Sequence, residues 1–238
     1  MGIFALIKED FETVRRNDPA MRSCVELFFN YPGLWALFFH RIAHGLHAKG
    51  LRLAGRFVSG ISRLLTSVDI HPGAQIGRRV FIDHATGVVI GETAIVGNDV
   101  LIYQQVTLGG VSLSHGKRHP TVEDGAIIGA GAKVLGDITI GREAKIGANS
   151  VVVNDVAAEC TAVGVPAHTS KRIDGKVPLS HNVMPDINKE LFEYLLKRIA
   201  VLEHTVQTGD LETMEKQDHE LEEIYRSFIQ SITTTPGK

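Results

Sequence analysis

The sequence is poor in the residues that staple, anchor or thread a chain. It has two cysteines, Cys24 and Cys160, far apart and in no metal-spaced cluster. A disulfide framework is not expected, and a reducing cytoplasm fits better. No run of basic residues builds a phosphate-tracking groove, and the formal net charge is −2, so nucleic acid is not an expected partner. Long hydrophobic runs are also missing. The most apolar segment, "CVELFFNYPGLWALFF", is interrupted by Glu26, Asn30 and Pro32 and reads as a buried helix pair rather than a bilayer span. The start, "MGIFALIKEDF", lacks the basic opening and long apolar core of a signal peptide. Aromatics are scarce, with 10 Phe, 4 Tyr and 1 Trp against 24 Gly. That balance suits a fold of tight turns and slim side chains.

Against these absences stands a repeat. Aliphatics fall every sixth residue in three runs: Ile70, Ile76, Ile82; then Ile90, Val96, Ile102, Leu108; then Val122, Ile128, Val134, Ile140, Ile146, Val152. A small or β-branched residue comes four later at most of them, as at Ala74, Ala94, Ala126 and Ala144, and a glycine directly follows many, as at Gly77, Gly97, Gly129 and Gly141. Period six belongs neither to a helix nor to a simple strand. It points to a β-helix whose repeats each make one short side of a coil, three sides and about 18 residues to the turn. The aliphatic faces the axis, the small residue fills the corner, and glycine is expected to supply turn dihedrals that a Cβ would oppose.

The flanks read as helices. Over residues 1–66, Phe4, Ile7, Phe11 and Val14 have helical spacing, and so do Phe57, Ile61, Leu64 and Leu65. Asp18-Pro19 reads as an N-cap followed by a proline at the first helical position. Pro32 is expected to open a further helix and Gly50 to end it. The tail at 185–232 carries Leu191, Leu195, Leu202, Val206, Leu221, Ile224 and Phe228 among charged residues, with Gly209-Asp210 breaking it into two helices. Packing or oligomer contact is its expected role. The fold class is therefore α+β: a helical domain at 1–66, a β-helix at 67–170 and a helical tail.

The repeat fails twice. The step from Ile82 to Ile90 is eight residues rather than six, across "DHATGVV", and the step from Leu108 to Val122 holds the loop "GGVSLSHGKRHPT". A stacked coil that takes extra residues must bulge, so Asp83 and His84 are expected to leave the wall and face solvent or a neighbouring surface. Segments thrown from a rigid scaffold are favoured positions for sites. An exposed turn histidine without function is the plain alternative.

The segments "DIHPGAQIG", "DHATGVVIGETA", "VTLGG", "KRHPT" and "IGAGAKVLG", in this order and after "RNDPA" at 16–20, resemble serine O-acetyltransferase, the enzyme family that opens cysteine biosynthesis. The likeness covers about residues 8–170. It implies a left-handed parallel β-helix behind the helical domain, a homotrimer or dimer of trimers with sites between subunits, and acetyl transfer from acetyl-CoA to the hydroxyl of L-serine without a metal. By the same resemblance His84 is the general base, a task that suits an imidazole with a pKa near the working pH, and Asp69 is the carboxylate that orients it. Serine carries an ammonium and a carboxylate. Asp18 and Asp83 match the family's acidic pair, Arg118 the guanidinium that clamps the carboxylate, where a planar fork serves better than an ammonium, and His119 a residue that positions serine. Gly110, Ala130 and Ala148 match positions along the acetyl-CoA arm, and Lys145 stands where it could approach phosphate. The oxyanion needs a donor, a backbone N–H or His119. Cysteine is an expected feedback inhibitor.

Some features depart from the family. His115 is an added loop histidine, the helical domain is short, and the chain ends in Lys238 where longer members end in the isoleucine that enters O-acetylserine sulfhydrylase. A complex by that route is not expected. The competing assignments are another hexapeptide O- or N-acetyltransferase acting on a sugar or other amino acid, a zinc lyase, and a non-catalytic scaffold. The lyase needs three metal-bound histidines, and the two-and-five spacing that would supply them is missing.

Overall fold

The computed structural model describes residues 3–18, 20–170 and 187–208. Four helices lead the chain: α1 (Ile3–Asn17), α2 (Cys24–Asn30), α3 (Pro32–Ala48) and α4 (Arg52–Thr66). Pro32 opens α3, where its missing N–H has no intrahelical partner to lose. Gly50, at φ +82°, follows the end of that helix.

Asp18 does not cap a helix, contrary to the sequence reading. A residue before proline is disfavoured in helical conformation, and α1 stops at Asn17. The cap of α2 is Ser23, whose hydroxyl accepts from the Glu26 N–H. The Asp18 carboxylate accepts instead from the Ala20 N–H at 2.7 Å, a local turn that leaves it free of a helix end.

The expected apolar face of α4 exists but points outward. Phe57, Leu64 and Leu65 are exposed, while Gly55, Ser59, Ser62 and Thr66 are buried. Small residues win this face because α3 and α4 pack so closely that a Cβ on Gly55 would stand 2.8 Å from the Ala43 carbonyl oxygen. Ser59 then donates to the Ile70 carbonyl at 2.9 Å, tying α4 to the first strand.

The repeats form a three-faced parallel prism. Face one stacks β1 (Asp69–Ile70), β4 (Val89–Ile90), β7 (Thr107–Gly109), β10 (Lys133–Leu135) and β13 (Val151–Val152). Face two stacks β2 (Gln75–Ile76), β5 (Ile95–Val96), β8 (Thr121–Val122) and β11 (Thr139–Ile140). Face three stacks β3 (Phe81–Ile82), β6 (Leu101–Ile102), β9 (Ile127–Ile128), β12 (Lys145–Ile146) and β14 (Thr161–Gly164), and β15 (Ala167–Ser170) runs antiparallel to β14. In register, Ile70, Ile90, Leu108, Val134 and Val152 make one inner column, and Ile82, Ile102, Ile128 and Ile146 another. These columns are the core. Each buried aliphatic contributes roughly 1.5–3 kcal/mol relative to exposure.

The glycines of the repeat hold a different job from the one expected. None of Gly77, Gly97, Gly129 and Gly141 has a positive φ. They are glycines because the next coil lies on them: a Cβ at Gly77 would meet the Gly97 carbonyl oxygen at 2.4 Å, and one at Gly129 the Ile146 carbonyl oxygen at 2.7 Å.

The helical domain sits on the first coil. A Cβ on Gly33 would fall 2.1 Å from the Ile82 carbonyl oxygen, so α3 rests on β3 one residue before Asp83. Arg41 of α3 is buried, pairs with Asp10 at 3.2 Å and donates to the Ile76 and Gly77 carbonyls. Past the prism, α5 (Ile187–Thr208) matches the first half of the expected tail, with Leu195, Leu202 and Val206 exposed. The side chains of Phe4 and Leu191, and Gly209, Asp210, Leu221, Ile224 and Phe228, lie outside the described residues.

Candidate active site

The two extra residues after β3 make an enlarged corner where face three turns into face one. His84 and Ala85 take φ of +56° and +53°, a left-handed pair that costs on the order of 1–3 kcal/mol per residue. Ala85 and Val88 turn inward and are fully buried. His84 turns outward, with its side chain 74% exposed, and its Nε2 stands 3.9 Å from Asp83 Oδ1. The bulge therefore places both residues outside the wall, as the broken period requires.

A cleft of about 660 Å³ opens beside this corner, where α1 and the segment after it overhang face three. Asp18, Asp83 and His84 all line it, with Arg16, Arg79 and Tyr103. Its size is that of a small-ligand site. Tyr31 donates to Asp18 Oδ2 at 2.5 Å. Burial, together with that neighbouring carboxylate, pushes the Tyr31 phenol up to about 12, so it stays a donor and fixes the carboxylate's direction. Arg79 is held by Asp99 through two bonds of 2.6 Å.

Asp69 begins β1, and its carboxylate pairs with Arg63 at 3.4 Å. No hydrogen bond joins it to His84, although the segments run side by side, with the Gly87 N–H donating to the Ser67 carbonyl.

Arg118 and His119 lie elsewhere. Their loop joins β7 to β8, at the edge where face one turns into face two. Face one thus separates them from His84. Arg118 Nη2 donates to Glu92 Oε2 at 2.5 Å, and that guanidinium holds the Glu92 carboxyl below its ordinary range. His119 is buried against Thr93, bonded through Nδ1. Burial, with Arg118 and Lys117 beside it, lowers its pKa.

The candidates for the acyl donor divide the same way. Ala130 and Ala148 sit between face three and face one, above His84 along its edge, and Lys145 lies on β12 of face three. Gly110 belongs to the other edge, close to Arg118. His115 is an exposed loop residue.

Sequence reasoning missed Tyr31, Glu92 and Thr93. Tyr31 carried no signal beyond preceding Pro32. Glu92 and Thr93 stand inside "DHATGVVIGETA", directly after Gly91, so their place in that segment was the available cue. Among the described residues no helix is long and apolar enough to cross a membrane, and no group of three His, Cys, Asp or Glu side chains could hold a metal.

Residues 119–154 match the family model described as bacterial transferase hexapeptide (six repeats). The chain is 48% identical over 215 residues to the serine acetyltransferase of Synechococcus elongatus, covering 90% of this chain and 88% of that one. Among solved structures, the Neisseria gonorrhoeae serine acetyltransferase in complex with serine superposes with a TM-score of 0.67 at 42% identity, over 70% of this chain and 68% of that one. A serine acetyltransferase in complex with cysteine superposes with a TM-score of 0.71 at 41% identity, over 76% and 70%.

Proposed function

The chain belongs to the serine acetyltransferases, a family of hexapeptide-repeat acyltransferases, and we propose that His84 is the general base of its reaction. That reaction moves acetyl from acetyl-CoA to the hydroxyl of L-serine, giving O-acetyl-L-serine and CoA, the first step of cysteine biosynthesis. The prism is the left-handed form of the β-helix.

The observation that carries the assignment is the meeting of Asp18, Asp83 and His84 on one cleft, although Asp18 and Asp83 are 65 residues apart by number (83 − 18). Asp18 and Asp83 receive the serine ammonium and steer the hydroxyl. His84 takes the hydroxyl proton as the serine oxygen bonds to the thioester carbonyl carbon. The tetrahedral oxyanion then collapses, the C–S bond breaks, and the departing CoA sulfur takes the proton back from the imidazolium. Asp69 orients the imidazolium. Its bond to Arg63 is long and the arginine is mostly exposed, so that pair is weak competition.

The carboxylate of serine needs Arg118 and His119, which stand on the other edge of face one. A second copy, turned so that its Arg118 edge meets the His84 edge of the first, completes the site. Repeating that contact closes a ring with face one toward the axis, and three copies make the ring that the family resemblance implies. The acetyl-CoA arm then runs between Ala130 and Ala148 of one copy and Gly110 of the next, with Lys145 toward the phosphates. Cysteine carries the same ammonium and carboxylate as serine, and a relative binds it, which supports reading it as a competitor for this site, relieved by excess serine.

The test is thiol release from acetyl-CoA with L-serine, comparing the wild type with His84→Ala. A general base contributes about 10²-fold or more, so a loss of that size is expected. A variant that keeps wild-type turnover would remove His84 from the mechanism.

A further inference from the structure

Every polar atom of Thr93, in the turn between β4 and β5, is spent on three consecutive residues of the long loop. Its hydroxyl oxygen accepts the Arg118 N–H at 3.0 Å and the His119 N–H at 3.2 Å. Its own N–H donates to His119 Nδ1 at 3.2 Å, and its carbonyl accepts from Lys117 Nζ at 2.9 Å. Lys117 Nζ also donates to the His119 carbonyl. Beside Thr93, Glu92 holds the Arg118 guanidinium.

The arithmetic of donors decides the state of His119. A hydroxyl has one hydrogen and two lone pairs. Two backbone N–H groups fill both lone pairs of Thr93 Oγ1, so its remaining contact, 2.9 Å to His119 Nδ1, is a donation. His119 Nδ1 then faces two donors, the hydroxyl and the Thr93 N–H, which share its single lone pair and leave no room for a proton of its own. The neutral ring must carry its hydrogen on Nε2. No group of this chain, among the described residues, hydrogen-bonds that nitrogen. The ring edge lies over Gly91, where a Cβ would stand 2.1 Å from Nε2, and beside Gly110.

We propose that Thr93 is a positioning residue of the acyl-acceptor site: it locks His119 as the Nε2–H tautomer and presents that N–H, with the Arg118 guanidinium aimed by Glu92, as a preset donor pair for an anionic oxygen of the substrate. The inference rests on the reading that Arg118 and His119 touch serine. The charged groups facing the ring are Arg118 and Lys117 on its own loop and Glu92 across from it. With Nδ1 blocked, His119 contributes a fixed donor rather than a second titrating base.

The test uses the full chain and the serine-dependent thiol-release assay across pH, with Thr93→Val, Thr93→Ser and His119→Ala. Thr93→Val removes the hydroxyl at nearly constant shape. It is expected to lower kcat/KM for serine by about tenfold or more, mostly through KM, and to add an ionisation to the acid limb, because the backbone N–H of residue 93 is then the one donor left opposing protonation of His119 Nδ1. Thr93→Ser keeps the hydroxyl and should recover most of the loss. A Thr93→Val enzyme with wild-type kcat/KM and pH profile, alongside an impaired His119→Ala enzyme, would overturn the positioning role alone. A His119→Ala enzyme equal to wild type would overturn the underlying reading. Ring 15N shifts of His119 in the wild type provide a measurement independent of any variant's folding: an Nδ1–H tautomer there would refute the lock.

Discussion

His84 and His40 show what a single residue owes to its position. Both are histidines near the first coil, yet one is exposed on a strained corner and the other is buried in α3 with its Nδ1 unpartnered. Burial, reinforced by the adjacent Arg41 and by His44, drives the His40 pKa down to about 3. The folded chain therefore refuses a proton that the unfolded chain accepts near the ordinary histidine pKa. Between those two values the unfolded state binds more protons, so stability falls as pH is lowered through about 6.5 toward 3. His71 and His119 shift in the same direction. His40→Leu should therefore reduce, without abolishing, the loss of urea midpoint between pH 7 and pH 5. An unchanged slope would mean that His40 does not carry a proton difference between the two states.

At the scale of elements, close approach is the recurring device. The prism holds together because successive coils lie against glycines, and the helical domain reaches it through Gly33 in the same way. Gly33→Ala would force a methyl to 2.1 Å from the Ile82 carbonyl oxygen and 2.9 Å from the Ile82 Cβ. Backbone cannot swing aside as a flexible side chain can, so α3 must lift from β3. Overpacking of this kind costs about 1–3 kcal/mol, which lowers the thermal midpoint by several degrees. It also disturbs the overhang that sets Asp18 opposite Asp83, so KM for serine should rise. A variant with wild-type melting and KM would show that this contact does not position the cleft.

At the scale of the whole molecule, the split between the two edges of face one is the controlling fact. It makes a quantitative prediction for mixed assemblies. His84→Ala and Arg118→Ala chains are each expected to be nearly inactive alone. Unfolded together in equal amounts and refolded, random association gives about one quarter of the sites a wild-type His84 from one copy and a wild-type Arg118 from the next. Activity should return to roughly that fraction of wild type. No recovery would place the complete site within one chain.

Much of this was legible before the fold was seen. The period of six named the inner columns, from Ile70 to Val152, because a coil core is written in residues six apart that must stack in register. The two breaks in that period marked His84 and the Arg118 loop, because extra residues in a stacked coil have nowhere to go but outward. Other features were decided only in three dimensions. Asp18 read from its local sequence as a helix cap, and as half of an acidic pair by resemblance alone; the fold makes it a cleft carboxylate, because its turn closes on Ala20 and Tyr31 reaches it from the link between α2 and α3. Gly33 and Gly55 mark close approaches between elements, yet a missing side chain leaves no hydrophobic pattern to read. The outward turn of Phe57, Leu64 and Leu65 was hidden for the same reason: the small residues opposite them claimed the packed face. A repeating local pattern fixes what lies next along the axis. Only the packed chain fixes which distant carboxylate faces a given imidazole and which edge carries the arginine.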